Sequence, residues 1–119
     1  MISKGIICLC GSTKFKDMFE IVNRELTLEG WVVLAPGVFG HVENYAVMGK
    51  RIGENKEALD KLHKEKIDIS DCVMVLDVDG YIGTSTRTEI EHAIANRKKV
   101  YFLSMIKEYV QFKDLQIDK

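Results

Sequence analysis

Four short runs of mainly apolar residues divide the chain, and each has the length of a β-strand. They are 5–10, 31–34, 72–76 and 99–103. The segments between them mostly show helical spacing, and strands that alternate with helices predict a parallel sheet with right-handed crossovers. The pattern therefore predicts a single α/β domain over 1–119. We expect a three-layer Rossmann-like or flavodoxin-like sheet of four to five parallel strands, in the order 2-1-3-4(-5).

The helical segments follow from the spacing of apolar residues between the runs. Between the second and third apolar runs, a helix is predicted from about 54 to 70, with inward-facing side chains at Leu59, Leu62 and Ile69. A third helix is predicted to begin at Glu89. Segment 38–53 has no clean period, so we expect an irregular loop there, of the kind that is usually functional or mobile.

Two loops, 11–14 and 77–87, follow the first and third predicted strands. The carboxyl ends of parallel strands meet at one edge of a sheet, where ligands bind, and a helix N-terminus there favours an anion. We expect a phosphorylated small molecule between the loops. The candidate binding residues are Gly11, Ser12, Thr13, Gly83, Thr84, Ser85, Thr86 and Arg87. A purely structural interpretation stays open, in which the hydroxyls cap a helix and Glu89 compensates its dipole.

Composition narrows the class of protein. The hydrophobic fraction of 46% and charged fraction of 29% are ordinary for a globular chain, and a net charge of −1 predicts neither a nucleic-acid nor a membrane partner. No signal peptide is visible, and the three cysteines stand in apolar runs, which predicts reduced core thiols in a cytoplasmic protein. No histidine spacing joins the cysteines in a metal site, and phosphate-loop and dinucleotide motifs are missing, so we expect no metal and no cofactor.

Several short stretches, taken in order, carry a resemblance to a known family. They are 10–12, 29–34, 67–71, 83–93 and 97–100. Their order and spacing resemble the nucleoside 2-deoxyribosyltransferase superfamily, especially the branch that includes 2-deoxynucleoside 5-monophosphate N-glycosidases. The resemblance covers about 1–103 except 36–53. It implies an enzyme that cleaves the N-glycosidic bond of a nucleoside or nucleoside monophosphate, by hydrolysis or transfer. It also implies a homodimer or higher homo-oligomer, because related enzymes complete their sites with a neighbouring subunit.

The resemblance implies that Glu89 is the nucleophile. A carboxylate beneath the sugar ring can stabilise an oxocarbenium-like state or trap C1 covalently. We expect the helix N-terminus and Arg87 to lower the pKa of Glu89 and so keep it anionic. Glu91 lies about 200° further round the helix and is interpreted as solvated or structural.

His63 marks a departure from the family, which has an aspartate at this position, eight residues before Asp71. His63 could protonate the departing base, or it could be a half-exposed histidine beside leucines. Asp77 is the third catalytic candidate, placed to meet a ribose hydroxyl, although loop aspartates often only form turns. Two functions therefore stay open. One is an N-glycosidase or deoxyribosyltransferase, and the other is a non-catalytic nucleotide-binding or sensing module that uses the same crevice.

Overall fold

The fold is a four-stranded parallel sheet with helices packed on it, seen in a computed structural model that describes residues 2–39, 46–106, 112 and 115. The strands are β1 (Gly5–Cys10), β2 (Trp31–Leu34), β3 (Cys72–Val75) and β4 (Lys99–Phe102). They pair in the order β2-β1-β3-β4, and every pairing is parallel. The predicted fold class and strand order are confirmed.

Four α-helices lie between the strands within the described ranges. They are α1 (Lys16–Leu28), α2 (Ala46–Glu54), α3 (Lys56–Asp68) and α4 (Thr84–Ala95). Short 3-10 turns follow β1, β3 and β4, at Thr13–Phe15, Val78–Gly80 and Leu103–Met105. None of the helices described is both long and apolar enough to cross a bilayer.

Two separate hydrophobic cores lie on the two faces of the sheet. Side chains of β1 contribute to both, because successive side chains of a strand point to opposite faces. Ile7 and Leu9 pack on one face with α1 and with Phe112. Cys8 and Cys10 pack on the other face, together with Ile67 of α3 and Ala93 of α4. Both faces of the sheet are therefore covered, which is why β1 and β3 are apolar almost throughout.

The segment predicted as an irregular loop is partly helical, since α2 occupies its second half. Residues 40–45 of that segment lie outside the described part of the chain. α2 carries two glycines, Gly49 and Gly53, both poor helix formers, and this explains why no helical period was recognised.

The inward face of α3 is also not the one predicted. Leu62 and Ile69 are 53% and 65% exposed, whereas His63 and Ile67 are buried. Residues 63 and 67 are four apart and share a helix face. The apolar pattern selected the leucines, because a histidine was counted as polar and left out of the stripe.

α4 begins five residues earlier than predicted, at Thr84. The hydroxyl residues Thr84 to Thr88 form its first turns, and Glu89 lies in the second turn instead of the first. Gly83 has extended backbone angles and stands immediately before the helix. The hydroxyl of Thr88 donates to the Ser85 carbonyl at 2.8 Å, which satisfies a polar group that would otherwise favour a loop.

Candidate functional site

A cavity of about 910 Å³ lies at the carboxyl edge of the sheet. The loop after β1 contributes Gly11, Ser12 and Thr13, and the segment after β2 contributes Pro36 to Val38. The remaining wall comes from α2, α3 and α4, with Tyr81 and Gly83 from the connection after β3. The two loops predicted to face a crevice therefore do so, together with α3, which carries His63, and with α2.

Only one face of α4 lines this cavity, so only some of the candidate binding residues on this helix reach it. Ser85, Thr86 and Glu89 line it, at positions that share one helix face. Thr84 and Arg87 are exposed and lie outside the lining. Arg87 stands two residues before Glu89 and so about 200° away around the helix. The structure thus brings together six of the eight candidate binding residues: Gly11, Ser12, Thr13, Gly83, Ser85 and Thr86.

Glu89 and His63 lie side by side at the wall of the cavity. Each is only 7% exposed, and Glu89 Oε1 is 4.0 Å from His63 Nε2. The contact forms because α3 and α4 pack next to each other on the same face of the sheet. Two of the three residues proposed as catalytic are therefore neighbours, although 26 positions separate them in the chain.

The pKa of Glu89 moves in the direction opposite to the prediction. Burial raises it to about 7, and the nearby charge of His63 opposes this shift without cancelling it. Arg87 is exposed on another helix face and is not among the groups that lower it. Burial therefore disfavours the anion that a nucleophile requires, while protonated His63 favours it.

Cys8 and Cys10 complete the surroundings of His63. His63 Nε2 lies 3.7 Å from Cys8 Sγ and 3.5 Å from Cys10 Sγ. Among the described residues, none forms a hydrogen bond with the buried Nδ1 of His63. The imidazole thus turns one nitrogen toward two sulfurs and a carboxylate.

The thiols and the imidazole shift one another's pKa values. The hydrogen bond with Cys10 lowers the pKa of Cys8 to about 6 against the effect of burial, and His63 adds to the lowering. The same hydrogen bond and burial raise the pKa of Cys10. Burial by itself lowers the pKa of His63, but Cys8 and Glu89 outweigh it and the pKa is raised. The cluster therefore favours a thiolate at Cys8 beside an imidazolium.

The apolar runs around these cysteines predicted reduced core residues alone. A signal was nevertheless present, because Cys8 and Cys10 are two apart on a strand and must share one face. They also end the strand immediately before the Gly11 turn, at the edge where ligands bind. Only the position of α3 supplies the third member, His63.

Lys56 is a second residue that the sequence analysis missed. Its Nζ donates to Ser85 Oγ at 3.1 Å and lies 3.0 Å from Asp60 Oδ2. It lines the cavity and joins the first turn of α3 to the first turn of α4. A cation therefore lies beside the helix N-terminus that was predicted to hold an anion.

Asp77, the third catalytic candidate, is engaged outside this cavity. It is buried and does not line the cavity. One carboxylate oxygen accepts the Ser104 backbone N–H at 2.9 Å, and the other accepts the Ser104 hydroxyl at 2.6 Å. Both oxygens are thus used to tie the end of β3 to the turn after β4.

Tyr81 gives the cavity an aromatic wall. It is 46% exposed, and the Phe15 ring contacts it edge to face with centroids 5.9 Å apart. The Lys14 ammonium lies 3.4 Å from the centroid of the Tyr81 ring. Lys14 is therefore engaged with this ring and does not line the cavity.

Comparison of the chain with family models, curated proteins and solved structures gave no match. The residues and geometry of the cavity are therefore the basis for a functional proposal.

Proposed function

We propose that the protein cleaves the N-glycosidic bond of a nucleoside or nucleoside monophosphate, as a hydrolase or a deoxyribosyltransferase. The observation that carries the proposal is the buried pair of Glu89 and His63, 4.0 Å apart at the wall of a cavity large enough for such a ligand. Buried ionisable groups in a cleft are costly to maintain, and they are common at catalytic sites. The sequence resemblance, with Glu89 at the nucleophile position, agrees with this proposal.

The proposed reaction divides the chemistry between the two side chains. As the bond between C1 and the base nitrogen breaks, a Glu89 oxygen forms a bond to C1 or stabilises its positive charge. His63 donates a proton to the departing base nitrogen. Water attack at C1 then completes hydrolysis, and attack by a second nucleobase completes transfer, with His63 regaining its proton from the attacking group in either case. In both cases the carboxylate of Glu89 is released for the next turnover.

We place the phosphate of a nucleotide substrate at Lys56 and Ser85. The Lys56 ammonium is already bonded to the Ser85 hydroxyl, and both line the cavity beside the N-terminus of α4. A helix N-terminus and an ammonium group both favour a bound phosphate. The half-exposed ring of Tyr81 supplies an aromatic face for the base or sugar.

The proposal includes a homodimer or higher homo-oligomer in the cytoplasm, without nucleic-acid or membrane partners. Leu62 and Ile69 line the cavity and are largely exposed in the single chain, and a second copy would cover them. All three cysteines are free thiols, which suits a reducing compartment.

The test is release of free base from a panel of deoxynucleoside and nucleoside monophosphates, using chelator-treated protein. Wild type should release base from at least one of them. Glu89→Gln should reduce the rate by about 100-fold or more while binding persists, because the amide keeps the shape and loses the charge. Glu91→Gln is the matched control, since Glu91 is exposed on the same helix and should leave the rate unchanged.

Two results would contradict this assignment in different ways. Equal rates for wild type and Glu89→Gln would mean that another carboxylate acts. Tight binding of one nucleotide without any base release would favour the non-catalytic binding or sensing module. That alternative draws its support from His63, which replaces the aspartate implied by the resemblance and faces two thiols.

A further inference from the structure

Three side chains of metal-binding type converge at His63, a residue that lines the cavity. The sulfurs of Cys8 and Cys10 and a ring nitrogen of His63 all lie within 4.8 Å of one another. All three residues are buried, and they come from β1 and α3. Hydrophobic packing alone gives no reason for a histidine to direct the same nitrogen at two sulfurs.

The separations match those of ligands around one ion. With Zn–S of about 2.3 Å and Zn–N of about 2.0–2.1 Å, a tetrahedral site places sulfur and nitrogen about 3.6 Å apart. His63 Nε2 lies 3.7 Å from Cys8 Sγ and 3.5 Å from Cys10 Sγ. An ion could therefore bind these three atoms without a change of backbone.

A carboxylate lies near the three donor atoms and could supply a fourth ligand. Glu89 Oε1 lies 4.0 Å from His63 Nε2, and Glu89 and His63 both line the cavity. A small shift of this carboxylate, or a water from the cavity, would complete four-fold coordination. His63 and Glu89 are the members of this group that line the cavity, whereas Cys8 and Cys10 are fully buried.

We propose that Cys8, Cys10 and His63 are three ligands of a Zn²⁺ site next to the cavity wall at His63. Two thiolates and an imidazole are donors that select zinc over magnesium or calcium. The thiolates offset the charge of the ion, and binding releases to solvent the protons held by the Cys10 thiol and by the ligating nitrogen of His63. The site does not depend on glycosidase activity, but it uses the His63 nitrogen that the proposed reaction needs. The zinc form is therefore expected to be inactive in base release.

The hydrogen-bonding surroundings of His63 affect the expected affinity of the site for zinc. A metal-bound histidine normally donates its other ring N–H to an acceptor, and losing that acceptor costs about 10–100-fold in affinity. No described residue accepts from His63 Nδ1. We therefore expect zinc to bind about 10–100-fold more weakly than at a site with the same ligands and a complete set of outer hydrogen bonds.

The experiment is a titration of reduced, metal-free protein with Co²⁺, followed by displacement with Zn²⁺. Wild type should take up one Co²⁺, with a thiolate-to-cobalt charge-transfer band and the visible bands of tetrahedral cobalt, and Zn²⁺ should remove both. Cys8→Ser and Cys10→Ser should each weaken the charge-transfer band and lower the affinity at least about 10-fold. Cys72→Ser is the matched control, because Cys72 is a buried cysteine outside the cluster and should leave the titration unchanged.

Circular dichroism establishes that each variant is folded. If a serine variant unfolds, X-ray absorption of the zinc-loaded wild type replaces the titration of that variant. The spectrum should show two sulfur ligands and an imidazole. The proposal is overturned by the absence of a charge-transfer band in wild type. It is equally overturned if the band is lost in Cys72→Ser, or if folded Cys8→Ser and Cys10→Ser keep it. Base-release activity enters none of these readouts, so failure of the glycosidase proposal is measured separately.

Discussion

His63 is the residue on which the site depends. It lies between two thiols and a carboxylate, and its backbone belongs to a helix whose next inward turn is occupied by Ile67. One position therefore serves both the packing of α3 and the chemistry of the cavity. A leucine here would pack against the sheet equally well, but it would leave Glu89 buried without a cation beside it.

Lys56 provides a prediction at the scale of a single residue. Lys56→Gln should weaken binding of a nucleoside monophosphate by about 10-fold, because a charged hydrogen bond to phosphate contributes about 1.5–3 kcal/mol. Binding of the unphosphorylated nucleoside should change little. Calorimetric titration of both ligands measures the difference. Lys61→Gln is the control, since Lys61 is exposed on the same helix outside the cavity. Equal losses for nucleotide and nucleoside would argue against a phosphate at Lys56.

At the scale of elements, α3 attaches to the sheet through Ile67. This side chain is fully buried with Cys8, Cys10, Val73 and Val75. Its position holds His63, one turn earlier on the same helix, against β1. The packing of one apolar residue thus places the polar residue that faces the cavity.

Ile67→Ala should therefore destabilise the protein by about 2–5 kcal/mol, the usual cost of removing such a buried side chain. Ile94→Ala on α4 should change stability by no more than about 0.5 kcal/mol, because Ile94 is 62% exposed. Urea unfolding followed by circular dichroism measures both. Similar losses for the two variants would mean that α3 is not held by this contact.

At the scale of the whole molecule, the exposed side chains of Leu62 on α3 and of Ile69, which follows the end of that helix, predict self-association. Light scattering should give at least twice the chain mass of 13.6 kDa at working concentration. Replacing both Leu62 and Ile69 with glutamate should shift the mass toward that of the monomer, because two charges would be buried in the interface. Leu28→Glu is the control, since Leu28 is 75% exposed at the end of α1, which packs on the opposite face of the sheet. A monomer mass for wild type at every concentration would contradict the proposal.

Some parts of the site were predictable from local pattern. The loops after β1 and β3 were placed correctly at one edge, because strand order follows from alternation and crossover handedness. Arg87 and Asp77 were expected at this site, but neither of them lines the cavity. Whether a polar side chain faces a cavity depends on where its helix begins and on which partner satisfies it, as Ser104 does for Asp77.

The sequence by itself determined the four strands, their parallel order and the covering of both sheet faces. These follow from periodicity and from apolar runs, which are local properties of the chain. Only the tertiary structure decided that Cys8, Cys10, His63 and Glu89 meet. Their convergence depends on the rotation of α3 and α4 about their own axes, which is the one that buries Ile67 and Ala93 against the sheet. That rotation is set by the packing of distant side chains, and no spacing within the sequence encodes it.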